Sequence, residues 1–243
     1  MTKPAWLLAA LLGLSGLARA GQESSCVACH RQVSGKAYVL HDFADWSGSP
    51  HARAGVSCQA CHGGDARAAK QDAAHKGMLS SKDSRSSVYY TKVPATCGGC
   101  HRAEFDAFKK SAHARELKGS GRGPNCVTCH GAMANRVMTA RELETTCTLC
   151  HRRPTLAFAA MLMLDGAKTG LRRLKSALRE GRAKGAEFAQ QEKDCSAAAE
   201  IYQASLRDWH SFLMDKVVDG ARKATQLTNK ALREIDAKAR SKP

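Results

Sequence analysis

One pentad, Cys-x-x-Cys-His, occurs five times in the 243-residue chain: CVACH (Cys26, Cys29, His30), CQACH (Cys58, Cys61, His62), CGGCH (Cys97, Cys100, His101), CVTCH (Cys126, Cys129, His130) and CTLCH (Cys147, Cys150, His151). This is the spacing of covalent c-type haem attachment, in which two thiols add to the haem vinyl groups and the next imidazole coordinates iron. A single CxxC is a weak signal, shared with thioredoxin-like and zinc sites. Zinc, however, takes such pairs two at a time and has no need of histidine after every second cysteine, and a disulfide framework needs no histidine at all. The repeated pentad therefore predicts five covalently bound haem c groups, held by the ten pentad cysteines, with His30, His62, His101, His130 and His151 as proximal iron ligands.

Only five per cent of the residues are aromatic, and Cys26 to His151 is crowded with Gly, Ser, Lys and Arg. Ordinary side chains would give that half a poor core, whereas five porphyrins would fill it. The expected fold is mostly α with extensive coil: a compact pentahaem domain whose core is stacked haems, followed by a C-terminal helical hairpin or three-helix region. The expected divisions are 1–20, 21–154 and 155–243.

Residues 1–20 read as a signal peptide. Lys3 precedes an apolar run from Ala5 to Leu17, and Ala18-Arg19-Ala20 supplies an A-x-A cleavage site. The run is short for a membrane span and no later segment is apolar enough for one, so stable membrane insertion is not expected. A periplasmic or extracellular location follows, since haem c is attached after export in bacteria. The formal charge of +16 drops by two when Lys3 and Arg19 leave. Ten haem propionates would offset most of the remainder, which argues against a nucleic-acid partner. A weaker reading of the basic surface is docking to an acidic redox protein.

A duplicated block runs through the haem half. FADWSGSPHAR, Phe43 to Arg53, aligns without gaps on FDAFKKSAHAR, Phe105 to Arg115, and each copy lies between two pentads. The half therefore reads as two two-haem modules plus a fifth haem. Phe43/Trp46 and Phe105/Phe108 share a helical face that can lie on porphyrin, with His51 and His113 near the end of that helix. Ten histidines are present, five outside the pentads: His41, His51, His75, His113 and His210. Five haems with two axial imidazoles need ten, so these five are the proposed distal ligands. Met78, Met133 and Met138 remain alternatives that would raise a haem's potential.

Beyond Pro154 the composition turns helical. Leu171, Leu174 and Leu178 form a stripe broken near Gly181 and Gly185, a second segment spans about Ala186 to Val218, and a third about Ala221 to Ala239. Leu206, His210, Leu213, Met214 and Val217 fall on one face of the second, and His210 is expected to serve the fifth pentad. Cys195 reads as a free, partly exposed thiol. These helices are also a possible homo-oligomer contact.

The order CxxCH, W-x-x-S-x-H-A, CxxCHG resembles the multihaem cytochromes of the c-554 and hydroxylamine-oxidoreductase superfamily over about residues 26 to 151. The resemblance implies closely stacked haem pairs and distal ligation by His51 and His113. Five pentads match neither the four haems of the small carrier nor the eight of the oxidoreductase, and no CxxCK variant is present. The leading expectation is an electron carrier of low-potential, mostly bis-histidine haems serving a quinol dehydrogenase or a terminal reductase or oxidase in anaerobic, nitrogen or metal respiration. One competitor is an oxidoreductase with one open haem acting on nitrite, hydroxylamine or tetrathionate. Another is a subunit of an extracellular haem filament.

Overall fold

The computed structural model describes residues 23–33 and 43–240. The proposed signal segment and His41 lie outside the described residues. The described residues form thirteen helices and no strand, so the chain is mostly α with long irregular connections. Ten helices of four to nine residues, α1 (Ser25–Val33), α2 (Phe43–Ser47), α3 (Pro50–Arg53), α4 (Gln59–His62), α5 (Gln71–Ala74), α6 (Val93–Gly98), α7 (Arg102–Phe108), α8 (Ala112–Ser120), α9 (Cys126–His130) and α10 (Ala140–Thr148), carry the haem half. Three long ones, α11 (Thr155–Ala183), α12 (Ala189–Trp209) and α13 (Met214–Arg240), form a C-terminal bundle.

The bundle has an ordinary core. Leu171, Leu174 and Leu178 of α11 pack with Phe188, Cys195, Ala198, Ala231 and Ile235 at one end. Ala160, Leu164 and Ala167 pack with Met214, Val217, Ala221 and Ala224 at the other. Small residues let the helices approach closely: a side chain at Gly220 would meet the Ser205 hydroxyl 2.1 Å away. Leu143 of α10 and Met161 of α11, with Trp209 of α12 against them, join this bundle to the haem half.

Two expectations for the tail are corrected. Cys195 is buried in the bundle core, because it lies on the same face of α12 as Gln191 and Ala198. The second helix stops at Trp209 rather than near Val218, and Gly220 lies inside α13. The last turn of α12 tightens, with the amides of His210, Ser211 and Phe212 donating to the carbonyls three residues back. The His210 ring and the Ser211 hydroxyl bond Leu206 O and Asp208 O, and Phe212 then takes a φ of 59°. No glycine or proline marks this break.

In the duplicated block, too, the histidine starts a new helix instead of ending the aromatic one. Ser49 and Ser111 are almost fully buried N-caps of α3 and α8, their hydroxyls accepting from Ala52 N and Ala114 N at 3.1 and 3.0 Å. Arg53 and Arg115 reach back to donate to Gly48 O and Lys110 O. The shared Ser-x-His-Ala-Arg is thus a helix-start device that presents the histidine in the first turn, two residues after the cap. Replacing Ser111 by Ala is expected to cost the holoprotein about 1 kcal/mol of stability. Denaturant unfolding reads this, and an unchanged midpoint would remove the cap from the account.

Candidate haem-binding site

Each pentad is one turn of helix. In the second, third and fifth, the histidine amide donates to the carbonyl of the first cysteine (His62 to Cys58 at 3.0 Å, His101 to Cys97 at 2.9 Å, His151 to Cys147 at 2.8 Å). That turn puts positions i, i+3 and i+4 on one face, so both thiols and the imidazole point the same way. The fourth begins with a capping box, Asn125 accepting from Val127 N and Thr128 N while Thr128 reaches back to Asn125 N. Asn125 Nδ2 also donates to Tyr90 O at 2.8 Å, tying this pentad to the segment before the third.

Four pentad histidines each face one histidine from outside the pentads. Ring centroids lie 6.2 Å apart for His30 and His75, 5.9 Å for His101 and His51, 6.2 Å for His130 and His210, and 5.9 Å for His151 and His113. A metal–imidazole bond of about 2 Å on each side, plus roughly 1 Å from nitrogen to ring centre, places two trans ligands about 6 Å apart. Aromatic packing tolerates the same separation. It does not explain why, among the described residues, each of these pairs joins one pentad histidine to one outside histidine.

The pairs depart from the modular reading in two ways. His51 and His113 face pentads beyond their own modules, the third and the fifth, so the repeat is a unit of sequence whose imidazoles reach across it. His210 faces His130 of the fourth pentad, whereas the fifth was its expected partner. His75, which has the least sequence support, is brought to α1 by backbone pairing: Ser25 N donates to Ala66 O and Asp65 N to Ala74 O, at 2.8 and 2.9 Å. Gly64, at φ 83°, makes this possible, since a Cβ there would sit 2.4 Å from Ala74 O.

At His51, His113 and His210 local electrostatics favour the neutral imidazole, the form that binds iron. Burial lowers the His51 and His113 pKa values, and the facing His101 and His151 lower them further. Burial lowers that of His210 as well, against hydrogen bonding to Leu206. His210 Nδ1 lies 2.9 Å from Leu206 O and His130 Nδ1 2.8 Å from Arg136 O, which fixes both as Nδ1–H tautomers with Nε2 free to ligate. Sequence reasoning missed these carbonyls and also missed Phe212, whose ring stands edge-on to His113 at 4.1 Å. A bulky residue at positive φ in a helical tail leaves no mark in the sequence.

The thiols of consecutive pentads are neighbours. Burial and then the charge of Cys26 push the Cys58 thiol up, and burial and then Cys97 do the same to Cys61. A hydrogen bond between Cys97 and Cys126 draws Cys97 down to about 7 and pushes Cys126 up, while burial and then Cys147 push Cys129 up to about 11. Thioether formation would remove these titrations, but the spatial order of the pentads, first to fifth along the chain, stands.

Residues 10–63 match a family model described as cytochrome c554 and c-prime. The match spans the first two pentads and the first copy of the duplicated block. It supports a c-type cytochrome, with covalently attached haem and electron transfer as its activity. No curated protein and no solved structure matches the chain. The residues present fit haem c: thiols and imidazole share one face of each pentad, and the opposing imidazoles stand at trans-ligand spacing. Among the described residues, no three His, Cys, Asp or Glu side chains converge as a zinc site requires.

Proposed function

We propose that the chain is an exported five-haem electron carrier in which every iron is held between two imidazoles. The axial pairs are His30/His75, His101/His51, His130/His210 and His151/His113, and the count assigns His41 to His62. The four facing pairs carry this reading. Bound haem supplies the one-electron Fe(III)/Fe(II) couple. The ten pentad cysteines, Cys26 to Cys150, anchor it, and the paired imidazoles withhold an open face from substrates and favour low potential. The order of neighbouring thiols suits a relay running from the first pentad to the fifth.

The haem domain is taken as 21–154, and 155–243 is a helical region that supplies one ligand to it. The site of action is the periplasm or cell exterior, with quinol dehydrogenases and terminal reductases or oxidases as the class of partner. Among the described residues, no helix is long and apolar enough to cross a membrane. An oxidoreductase acting on nitrite, hydroxylamine or tetrathionate would need an exchangeable iron face, against which the four pairs weigh.

The test is an EPR spectrum of the oxidised holoprotein. All five haems are expected to be low-spin. The His130/His210 planes cross at 19° and should give an ordinary rhombic signal, while His30/His75 at 66° and His151/His113 at 55° should give strongly anisotropic ones. A high-spin signal amounting to one haem in five would favour the enzyme, and concentration-dependent polymerisation would favour the filament.

A further inference from the structure

The short connection between α12 and α13 touches two neighbouring haem sites and treats them differently. At the fourth pentad, both facing imidazoles hold their Nδ1 against a carbonyl, His210 on Leu206 O at 2.9 Å and His130 on Arg136 O at 2.8 Å. Two residues beyond His210, Phe212 stands edge-on to His113, ring centroids 4.1 Å apart at 82°. His113 Nδ1 is buried there with no hydrogen-bond partner. Phe212 adopts a φ of 59°, which a bulky L residue takes only when its surroundings impose it.

An imidazole whose Nδ1–H donates to a carbonyl is a stronger electron donor through Nε2 and stabilises ferric iron. One whose Nδ1–H meets only an aromatic ring is a weaker donor and stabilises ferric iron less. We propose that the His210-to-Leu213 connection sets the potentials of two adjacent haems apart, holding the fourth low and the fifth high. One electron, delivered by a low-potential donor protein, then passes downhill: the fourth iron is oxidised as the fifth is reduced, with no proton transferred. Phe212 is the positioning residue. The proposal rests on the axial pairs proposed above, and the Cys129 and Cys147 thiols place the two sites side by side.

The test is an EPR-monitored redox titration of the holoprotein, with Phe212→Asn and Phe212→Leu beside it and His113→Met to identify the fifth-haem signal. In the wild type, as the potential is lowered, the fifth-haem signal is expected to vanish before the fourth. Asn suits the positive φ and offers a carbonyl to the His113 N–H, so F212N should lower the potential at which the fifth signal vanishes, toward that of the fourth. F212L, still apolar, should leave the order and the gap unchanged. Reduction of the fourth haem before the fifth in the wild type overturns the proposal, as does an equal shift in F212N and F212L. If neither site gives a low-spin signal, the axial pairs themselves fail, and the tuning fails with them.

Discussion

Made in a host that does not attach haem c, the chain is expected to be disordered from Cys26 to His151 while Thr155 to Arg240 stays helical. The distribution of buried side chains decides this. Of twenty buried hydrophobic residues among the described residues, the haem half holds only Val27, Val93, Leu117 and Leu143. Four buried side chains are too few to offset the conformational entropy of ordering so long a segment. Of the other sixteen, Met161 packs against Leu143, and fifteen form the two clusters of the bundle core, which do not depend on porphyrin. Limited proteolysis should digest the haem half and leave a helical fragment that begins near Thr155, with circular dichroism reporting the retained helix. A protease-resistant haem half in the haem-free chain would mean that side chains alone form its core.

The pentads made the attachment chemistry legible from sequence because two thiols and a histidine on one helical turn have few other uses. The leucine stripe at 171, 174 and 178 marked α11 for the same kind of reason, a period matching one buried face. The break after Trp209 was illegible. It is made by the His210 and Ser211 side chains bonding carbonyls of the last turn, and these residues look like any others in a helical stretch. The count of ten histidines suggested one partner for each pentad but not which outside histidine faces which. Pairing is long-range: His51 reaches His101 and His113 reaches His151 only once the short helices have folded back across the repeat. The Ser and Arg of the repeated block were visible as a pattern, but their work as cap and tether appears only in the backbone they hold.

Replacing His210 by Ala is expected to turn one haem in five from low-spin to high-spin and to let the reduced protein bind carbon monoxide at that haem, where the wild type binds little. His210 is the one proposed ligand contributed by the bundle, and its ring is fixed by the Leu206 carbonyl 2.9 Å away and faces His130 at 6.2 Å. Removing it takes away the second imidazole and nothing from the thioether anchors, so the pyridine haemochrome content should be unchanged. Met at the same position restores a sixth ligand with a weaker donor. His210→Met should therefore stay low-spin, refuse carbon monoxide and raise the potential of that haem alone. The informative contrary result is a low-spin His210→Ala protein. Met133 and Met138 line, with His130, a cavity of about 420 Å³, so their thioethers are the first alternatives to test. In that event His210 would be a structural histidine closing α12, and the potential of the fourth haem would be high rather than low. Substituting each methionine in turn would then identify which one ligates.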